Sequence, residues 1–577
     1  MAARDLATLE RSKDRFGARA AAAKLILLAR LDRTRLRTPR QVARLHEALC
    51  FMRAYPGDAI VLAAVEHILE RFADRADLRR HRAALANTGI VGTAIRFRYF
   101  WPSALWLAAR WPDQLLLDRD DADAEEAIAR ALPLLVTPAE TPALREVDLP
   151  GYAALNRLRG GRESDAAFLV RRVAAMPGDT FTREAFFDAI DASFELVPGA
   201  DTPARTHAKL ASAPVEFPDP PLHRGRPDLR AELRRAPRAV KRLSLQAGRR
   251  AVDLGRAAMA TRERDIDGFA YGDARDAWLV DDGDGLAFTL NGVVPERRAV
   301  VPATYGSLTL RNGVPIAYLQ VDLAGRSAAL SYHAFATFRG GEVAYIVARM
   351  LTMLHHVLGA ESFTLDPYQL GKGNDDGIES GAWWFYYKLG FRPRTAAVKR
   401  LMRGELARLQ ANPRHRSRAA TLRKLAEGHL VFDVDQRHRV PLPPLAAIGL
   451  RIADRLAARG ERGRALQQAS REAMRLVGVR SLDGWTAGER LAWERWSPLI
   501  LTLPGVSRWS AANRRALVGI VRAKGGRSEI GYAARFNAHP LLGPALFRRR
   551  QTGRPLTRAS PCSDPRNWGA SSANSRR

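Results

Sequence analysis

A run of closely spaced strand signals constrains the fold of this chain more than any other feature. From Ala277 onward, apolar and β-branched residues alternate with polar ones between Gly, Asp and Asn turns, which is typical of half-buried strands. Asn312-Gly313 is the strongest hairpin signal, because both residue types tolerate a positive φ. The pattern predicts antiparallel strands at residues 278–280, 286–290, 307–311, 314–323 and 328–338.

A helix and another strand are predicted directly after these strands. Residues 342–358 carry apolar side chains at helical spacing, and Gly359 stands where a left-handed C-terminal cap belongs. Residues 362–366 then have the composition of a buried strand, and a polar loop and a second helix follow. We expect the first helix to bury one face against the sheet.

The turn before the first helix, Arg339-Gly340-Gly341, has the properties of a phosphate-binding turn. Small residues let the backbone approach a ligand, the first N–H groups of a helix are unpaired, and the helix dipole favours negative charge. A turn with only a structural role explains the two glycines equally well. The sequence around the turn decides between these readings.

The second helix carries the most specific motif, Phe385-Tyr386-Tyr387-Lys388-Leu389-Gly390-Phe391. Together with the turn it resembles the GNAT superfamily of N-acetyltransferases. Members of that family have an Arg/Gln-x-x-Gly-x-Gly/Ala turn and an Asn-x-x-Ala-x-x-Phe-Tyr-x-Lys-x-Gly-Phe helix. Residues 339–344 match the first motif and residues 379–391 the second. The resemblance extends over residues 275–395, about a fifth of the chain.

The resemblance implies an α+β or α/β fold with a central mixed sheet of the acyl-CoA N-acyltransferase type, flanked by helical N- and C-terminal regions. It implies transfer of an acyl group from acetyl-CoA or another acyl-CoA to an unknown amine. Tyr386 would protonate the departing thiolate, although an aromatic core residue explains it too. Backbone N–H groups around residues 333–335 would bind the oxyanion. The residues implied to bind the donor are Arg339, Gly340, Gly341, Ala344, Ala382 and Phe385.

Two positions depart from the family pattern. Glu342 stands where the family's turn has glycine, which predicts a carboxylate beside the phosphates and repulsion between like charges. Glu379 replaces the family's Asn, and either supplies a new acid/base group or is a helix N-terminal residue favoured by the dipole. Because Glu342 would oppose phosphate binding, the alternative function is a scaffold of the same fold that has lost catalysis. Such a scaffold would bind a protein or nucleic acid through its helical, basic regions.

His333, Asp366 and Asp322 are further candidates for acid/base catalysis. His333 lies on a predicted strand and has an ordinary pKa suited to neutral pH, although a half-buried sheet histidine with only a hydrogen-bonding role fits the pattern too. Asp366 follows a predicted strand beside the expected cleft. We predict no metal, because the adjacent His355 and His356 point apart on a helix and the acidic loop before Glu379 lacks calcium-loop spacing.

The rest of the 577-residue chain is divided by its periodicity and proline content. Helical spacing dominates before and after the strand region, and a proline-rich stretch separates the first helices from it. The predicted organisation is a helical region at residues 1–200, a Pro/Arg-rich linker and helix at 201–270, the acyltransferase-like domain at 271–400, a helical region at 401–547 and a disordered tail at 548–577.

The formal net charge of +31 gives a field that attracts anions, but the arginines are scattered along the chain. Nucleic acid is therefore open as a partner but not favoured, since no dense basic stripe with interleaved aromatics, recognition helix or zinc module occurs. Only two cysteines occur, Cys50 and Cys562, which suits a reducing cytoplasm. No stretch of about 18 apolar residues occurs, so we expect a cytoplasmic protein without an integral membrane segment.

Overall fold

The structure is a computed structural model that describes residues 1–146, 149–210, 215–219 and 221–547. The predicted disordered tail at residues 548–577 lies outside the described residues. Most of the proline-rich stretch is described, and its described residues form turns, bends and irregular backbone without a helix or strand up to Pro227.

The N-terminal region contains helices and a small sheet. Thr38 caps one helix by accepting a hydrogen bond from the Gln41 N–H, with Pro39 as first helical residue. The elements are α1 (Ala2–Ser12), α2 (Ala18–Arg33), α3 (Pro39–Ala54), α4 (Ala59–Glu70), α5 (Ala76–Arg80), β1 (Ile95–Phe97), α6 (Trp101–Arg110), β2 (Leu115–Leu117), α7 (Ala122–Leu135), α8 (Thr141–Arg145), α9 (Gly151–Arg159), α10 (Asp165–Ala174), α11 (Thr180–Ile190) and β3 (Phe194–Leu196).

Two apolar cores hold this region together, one among α1–α5 and one among α6–α11 and the three strands. The strands form an antiparallel sheet in the order β1-β3-β2. The prediction that residues 1–200 are entirely helical is therefore wrong. Each strand has only three residues, which is too short for an alternating pattern to stand out from the helical sequence around it.

A nine-stranded sheet forms the centre of the chain, in the order β11-β12-β10-β9-β8-β7-β6-β5-β4. Its strands and helices are α12 (Leu229–Arg234), β4 (Ala239–Arg242), α13 (Leu245–Ala260), α14 (Asp267–Ala270), β5 (Gly272–Gly283), β6 (Leu286–Val293), β7 (Ala303–Arg311), β8 (Val314–Ala324), β9 (Ser327–Ala334), α15 (Val343–Leu358), β10 (Ser362–Leu365), α16 (Asp375–Glu379), α17 (Ala382–Lys388), β11 (Arg392–Pro393), α18 (Ala396–Ala411), α19 (Ala419–Leu425) and β12 (Leu430–Asp433). The fold is thus a mixed α+β fold with a large mixed sheet.

The predicted hairpins and the first helix are confirmed. β5 pairs with β6, and β7 pairs with β8, through turns at the predicted positions. Asn312 and Gly313 have φ of 49° and 78°, as a tight hairpin turn requires. α15 ends at Gly359, whose φ of 70° makes it the left-handed cap. β9 is shorter than predicted, because a 3₁₀ turn replaces the strand at Ala336–Phe338.

The helices after the sheet belong to the same core as the sheet. They are α20 (Leu445–Ala457), α21 (Arg462–Val477), α22 (Ala487–Ile500), α23 (Ala511–Lys524), α24 (Glu529–Ala538) and α25 (Leu542–Phe547). Trp493 and Trp496 are fully buried in one cluster with β7 and α15 side chains. The boundaries predicted at 271 and 400 are therefore too narrow, since β4 and β12 also lie in the sheet. No described helix is long and apolar enough to cross a bilayer.

Candidate active site

The candidate site lies where β9 and β10 separate. Among the described strands these two are the one parallel pair, and α15 connects them. Residues 327–329 of β9 pair with residues 362–364 of β10. β10 ends at Leu365, whereas β9 continues to Ala334. In the part of the chain that the structure describes, residues 330–334 therefore have no strand partner on the β10 side.

The backbone groups of β9 point alternately towards β8 and towards the open side. The Phe335 N–H donates to the Ile316 carbonyl at 3.0 Å, in the direction of β8. Because this direction alternates along an antiparallel pair, the groups of His333 also face β8, and those of Tyr332 and Ala334 face the open side. Of the N–H groups predicted to bind the oxyanion at residues 333–335, those of His333 and Phe335 are bonded within the sheet, and that of Ala334 faces the open side together with that of Tyr332.

The glycine turn lies at the end of this open stretch. The 3₁₀ turn leads into Arg339-Gly340-Gly341, in which Gly340 has a φ of +90° that favours glycine. Glu342 occupies the N-cap position of α15, but its side chain makes no capping hydrogen bond. The first N–H groups of α15 thus keep no side-chain partner at the cap, and a helix N-terminus of this kind suits an anion.

The Glu342 side chain points away from the turn and into the core. It is fully buried and lies 3.4 Å from the equally buried guanidinium of Arg311, and it accepts a hydrogen bond from the His223 N–H at 2.9 Å. The expected repulsion between Glu342 and phosphate is therefore wrong. The residue neutralises a buried arginine, which no local sequence pattern reveals. Burial, with the Glu342 carboxylate as the next cause, raises the pKa of Tyr55 well above its ordinary value.

His333 lies beside the open stretch in a positive environment. Its ring stacks on Tyr318 with centroids 5.6 Å apart, and its Nε2 lies 2.9 Å from the Arg339 guanidinium, which also donates from Nε to the Ala334 carbonyl. Burial, with the nearby Arg264, Arg339 and Arg262, lowers the pKa of His333 to about 3. The imidazole is therefore neutral at pH 7 and weak as a base, and because its Nε2 accepts from Arg339, its proton lies on Nδ1.

Tyr386 lies within α17 and is buried. Its ring packs edge-on against Phe391, with centroids 5.5 Å apart, and its hydroxyl has no hydrogen-bond partner among the described residues. Burial raises the pKa of Tyr386 above its ordinary value, so the phenol keeps its proton at neutral pH. Burial, and secondarily Tyr386, also raises the pKa of Tyr332, whose buried hydroxyl likewise has no partner. Tyr332 stands on the open stretch of β9.

The two predicted carboxylates lie in different surroundings. Asp366 follows β10 directly and accepts a hydrogen bond from the Gln369 N–H at 2.9 Å, which orders the loop. Glu379 is the exposed last residue of α16, and within the described chain it has no hydrogen-bond or ion-pair partner. The predicted single helix is two, because Gly381 adopts a left-handed conformation before Ala382. Glu379 is therefore not at a helix N-terminus.

The remaining residues of the predicted donor site are partly accessible. Ala344 lies in the first turn of α15, and Ala382 begins α17. Phe385 packs edge-on against Tyr386, with centroids 5.0 Å apart. All three are half-buried against the core, so each leaves part of its surface free.

Two residues of this neighbourhood are not visible in the sequence motifs. Arg262 lies over the Phe335 ring, with its guanidinium carbon 3.7 Å from the centroid. Arg264 donates to the Tyr318 hydroxyl at 3.3 Å. Both follow α13, far upstream in the chain, and only the packing of that helix against the sheet brings them to His333. The predicted strand was enough to identify Tyr332 as a candidate, because this residue is the direct neighbour of His333 on that strand.

A scan against protein-family models finds no match for this sequence, and searches of the curated proteins and of the solved structures likewise find none. Among the described residues, no group of three or more His, Cys, Asp and Glu side chains could hold a metal ion.

Proposed function

We propose that this protein transfers an acyl group from an acyl-CoA to an amine. The proposal rests on the open stretch of β9, residues 330–334, which extends beyond the end of its parallel partner β10. This stretch leads to the glycine turn and the N-terminus of α15. This order of strand, turn, helix and strand is also where the sequence resembles the GNAT superfamily. The unpaired backbone suits an extended ligand, and the helix N-terminus suits a pyrophosphate.

The open stretch of β9 would accommodate the pantetheine arm of the donor. Backbone amides of the arm would replace the missing strand partner, with Ala382 and Phe385 on its apolar side and the pyrophosphate at Gly340, Gly341 and Ala344. The scaffold alternative loses its main support, because the Glu342 carboxylate is bound to Arg311 and does not meet the phosphates.

The chemistry of amide formation from a thioester needs a stabilised oxyanion and a proton for the leaving sulfur. The N–H groups of Tyr332 and Ala334 are the donors on the open side of β9. Tyr386 would give its phenol proton to the departing thiolate and be reprotonated by the ammonium that forms when the amine attacks, so that the proton lost by the amine ends on the CoA thiol. Neutral His333 would orient the acceptor substrate by donating a hydrogen bond from Nδ1, since its Nε2 already accepts from Arg339.

The acceptor would carry a negative charge near its amine. Arg262, Arg264 and Arg339 surround His333, and together they repel a protonated amine while attracting a carboxylate or phosphate. An amino acid or an anionic amine fits this field better than a polyamine. A polyamine should accordingly be a poor acceptor in a CoA-release assay.

Gly341→Asp tests the proposed phosphate contact. A β-carbon at Gly341 would lie 3.6 Å from the Phe338 carbonyl oxygen, which is an ordinary contact, and its φ is not positive, so the fold should tolerate the change. The added carboxylate should weaken acetyl-CoA binding about tenfold or more, corresponding to at least about 1.4 kcal/mol. Isothermal titration calorimetry measures this difference.

Gly341→Ala is the matched control, because it adds the β-carbon without a charge. We expect its affinity to stay within about threefold of the unmodified protein, or about 0.7 kcal/mol. Equal affinities for the Asp and Ala variants would show that phosphate does not bind at this turn.

A further inference from the structure

A cavity with a strong positive charge lies at the β11 edge of the sheet, beside β11, β12 and α18. Its volume is about 480 Å³, which is in the range of small-molecule sites. It shares no residue with the proposed donor site. We call it the basic cavity, because its lining includes a single carboxylate, Asp433, and six cationic side chains. The six are Arg230, Arg392, Arg394, Lys399, Arg403 and Arg439.

Three of the six cations are held by the protein. One terminal nitrogen of Arg394 donates to both carboxylate oxygens of Asp433, at 2.7 and 2.8 Å. Arg230 donates to the carbonyls of Val434 and Asp433, and Arg392 donates to two carbonyls at the end of α17. The one carboxylate is therefore already neutralised, and these three guanidinium groups form a fixed positive wall.

The other three cations have no partner within the described residues. The side chains of Lys399, Arg403 and Arg439 make no hydrogen bond, ion pair or ring contact there. Lys399 and Arg403 are four residues apart on α18, which places like charges side by side on one helix face at a small cost in stability. An anion in the cavity would remove that repulsion and use all three groups.

We infer that the basic cavity binds a small molecule that carries two or more phosphate groups, such as a nucleoside diphosphate. Several converging cations match several phosphate oxygens, and arginine forks suit phosphate geometry. The partly apolar floor of Pro393, Met402, Val431 and Phe432 suits the rest of such a ligand. A concave site of this size favours a small ligand over a nucleic-acid strand, which needs an extended groove with stacking aromatics.

The test titrates the full chain with inorganic pyrophosphate and with ADP by calorimetry at about 0.15 M salt, where non-specific attraction is screened. Lys399→Ala with Arg403→Ala should weaken pyrophosphate binding at least tenfold. The matched control is Arg249→Ala with Arg250→Ala, two exposed and unpartnered arginines of α13 outside the cavity, which should change the affinity less than twofold.

The Gly341→Asp variant separates this site from the proposed donor site. Pyrophosphate binding that persists in Gly341→Asp and is lost in the α18 double variant supports the inference, even if the acyltransferase proposal fails. Arg439→Ala should also weaken pyrophosphate binding. This variant tests the basic cavity independently if the α18 double variant unfolds. The inference is overturned if neither pyrophosphate nor ADP binds, if the α13 control loses as much affinity, or if only a single-stranded oligonucleotide binds.

Discussion

Glu342→Ala is expected to lower the free energy of unfolding by about 3–5 kcal/mol, because it leaves the Arg311 guanidinium buried without its counter-charge. Nε and one terminal nitrogen of Arg311 already have no hydrogen-bond partner, so the arginine has little other compensation. The change also removes the acceptor for the His223 N–H, at a point where three distant parts of the chain meet. Urea denaturation measures the loss.

Two control variants separate the buried ion pair from the side chain itself. Glu361→Ala removes a carboxylate that pairs with Arg326 at the surface, with both side chains at least 40% exposed, and should cost less than about 1 kcal/mol. Arg311→Met combined with Glu342→Leu should recover most of the stability, since no unpaired charge is then buried. If Glu342→Ala costs no more than Glu361→Ala, the buried pair is not what holds this region.

Tyr386→Phe is expected to lower kcat for acyl transfer about 10²-fold while leaving the affinity for acetyl-CoA nearly unchanged. The substitution keeps the ring packing on Phe391 and removes only the hydroxyl, which has no protein partner. The proton for the leaving thiolate would then have to come from water. The rate of CoA release with an amine present, followed with a thiol reagent, measures kcat.

Tyr387→Phe is the matched control on the same helix. The Tyr387 ring stacks on Trp383, with centroids 5.6 Å apart, and its hydroxyl has no role in the proposal. We expect rates close to those of the unmodified protein. Equal turnover in Tyr386→Phe and the unmodified protein would remove Tyr386 from the mechanism.

The sequence predicted those parts of the fold that depend on local signals. The Asn312-Gly313 turn and the Gly359 cap are set by backbone conformations that few residues adopt, so the β7–β8 hairpin and the end of α15 were predicted correctly. β4 and β12 were missed for a different reason. All four residues of β4 are exposed, and β12 is a short apolar run in a helical neighbourhood, so only pairing with distant strands defines them.

The candidate site was predictable only in part for the same reason. The turn and the α17 motif are contiguous in the sequence, and they identified Gly340, Gly341 and Tyr386 as candidates. The surroundings of each side chain were not predictable. The backbone partner of Glu342 lies 119 residues upstream, and two of the three arginines that lower the pKa of His333, Arg262 and Arg264, come from the segment after α13. The Glu342 carboxylate, which the sequence predicted beside the phosphates of the donor, is consequently part of the core.

Calorimetric titration of the full chain with acetyl-CoA tests the central claim most directly. The open edge of β9 and the α15 N-terminus predict saturable binding with one donor per chain, weakened about tenfold or more by Gly341→Asp and little changed by Gly341→Ala or by the α18 double variant. An absence of heat at high protein concentration, or binding that is lost in the α18 double variant but retained in Gly341→Asp, would contradict the account.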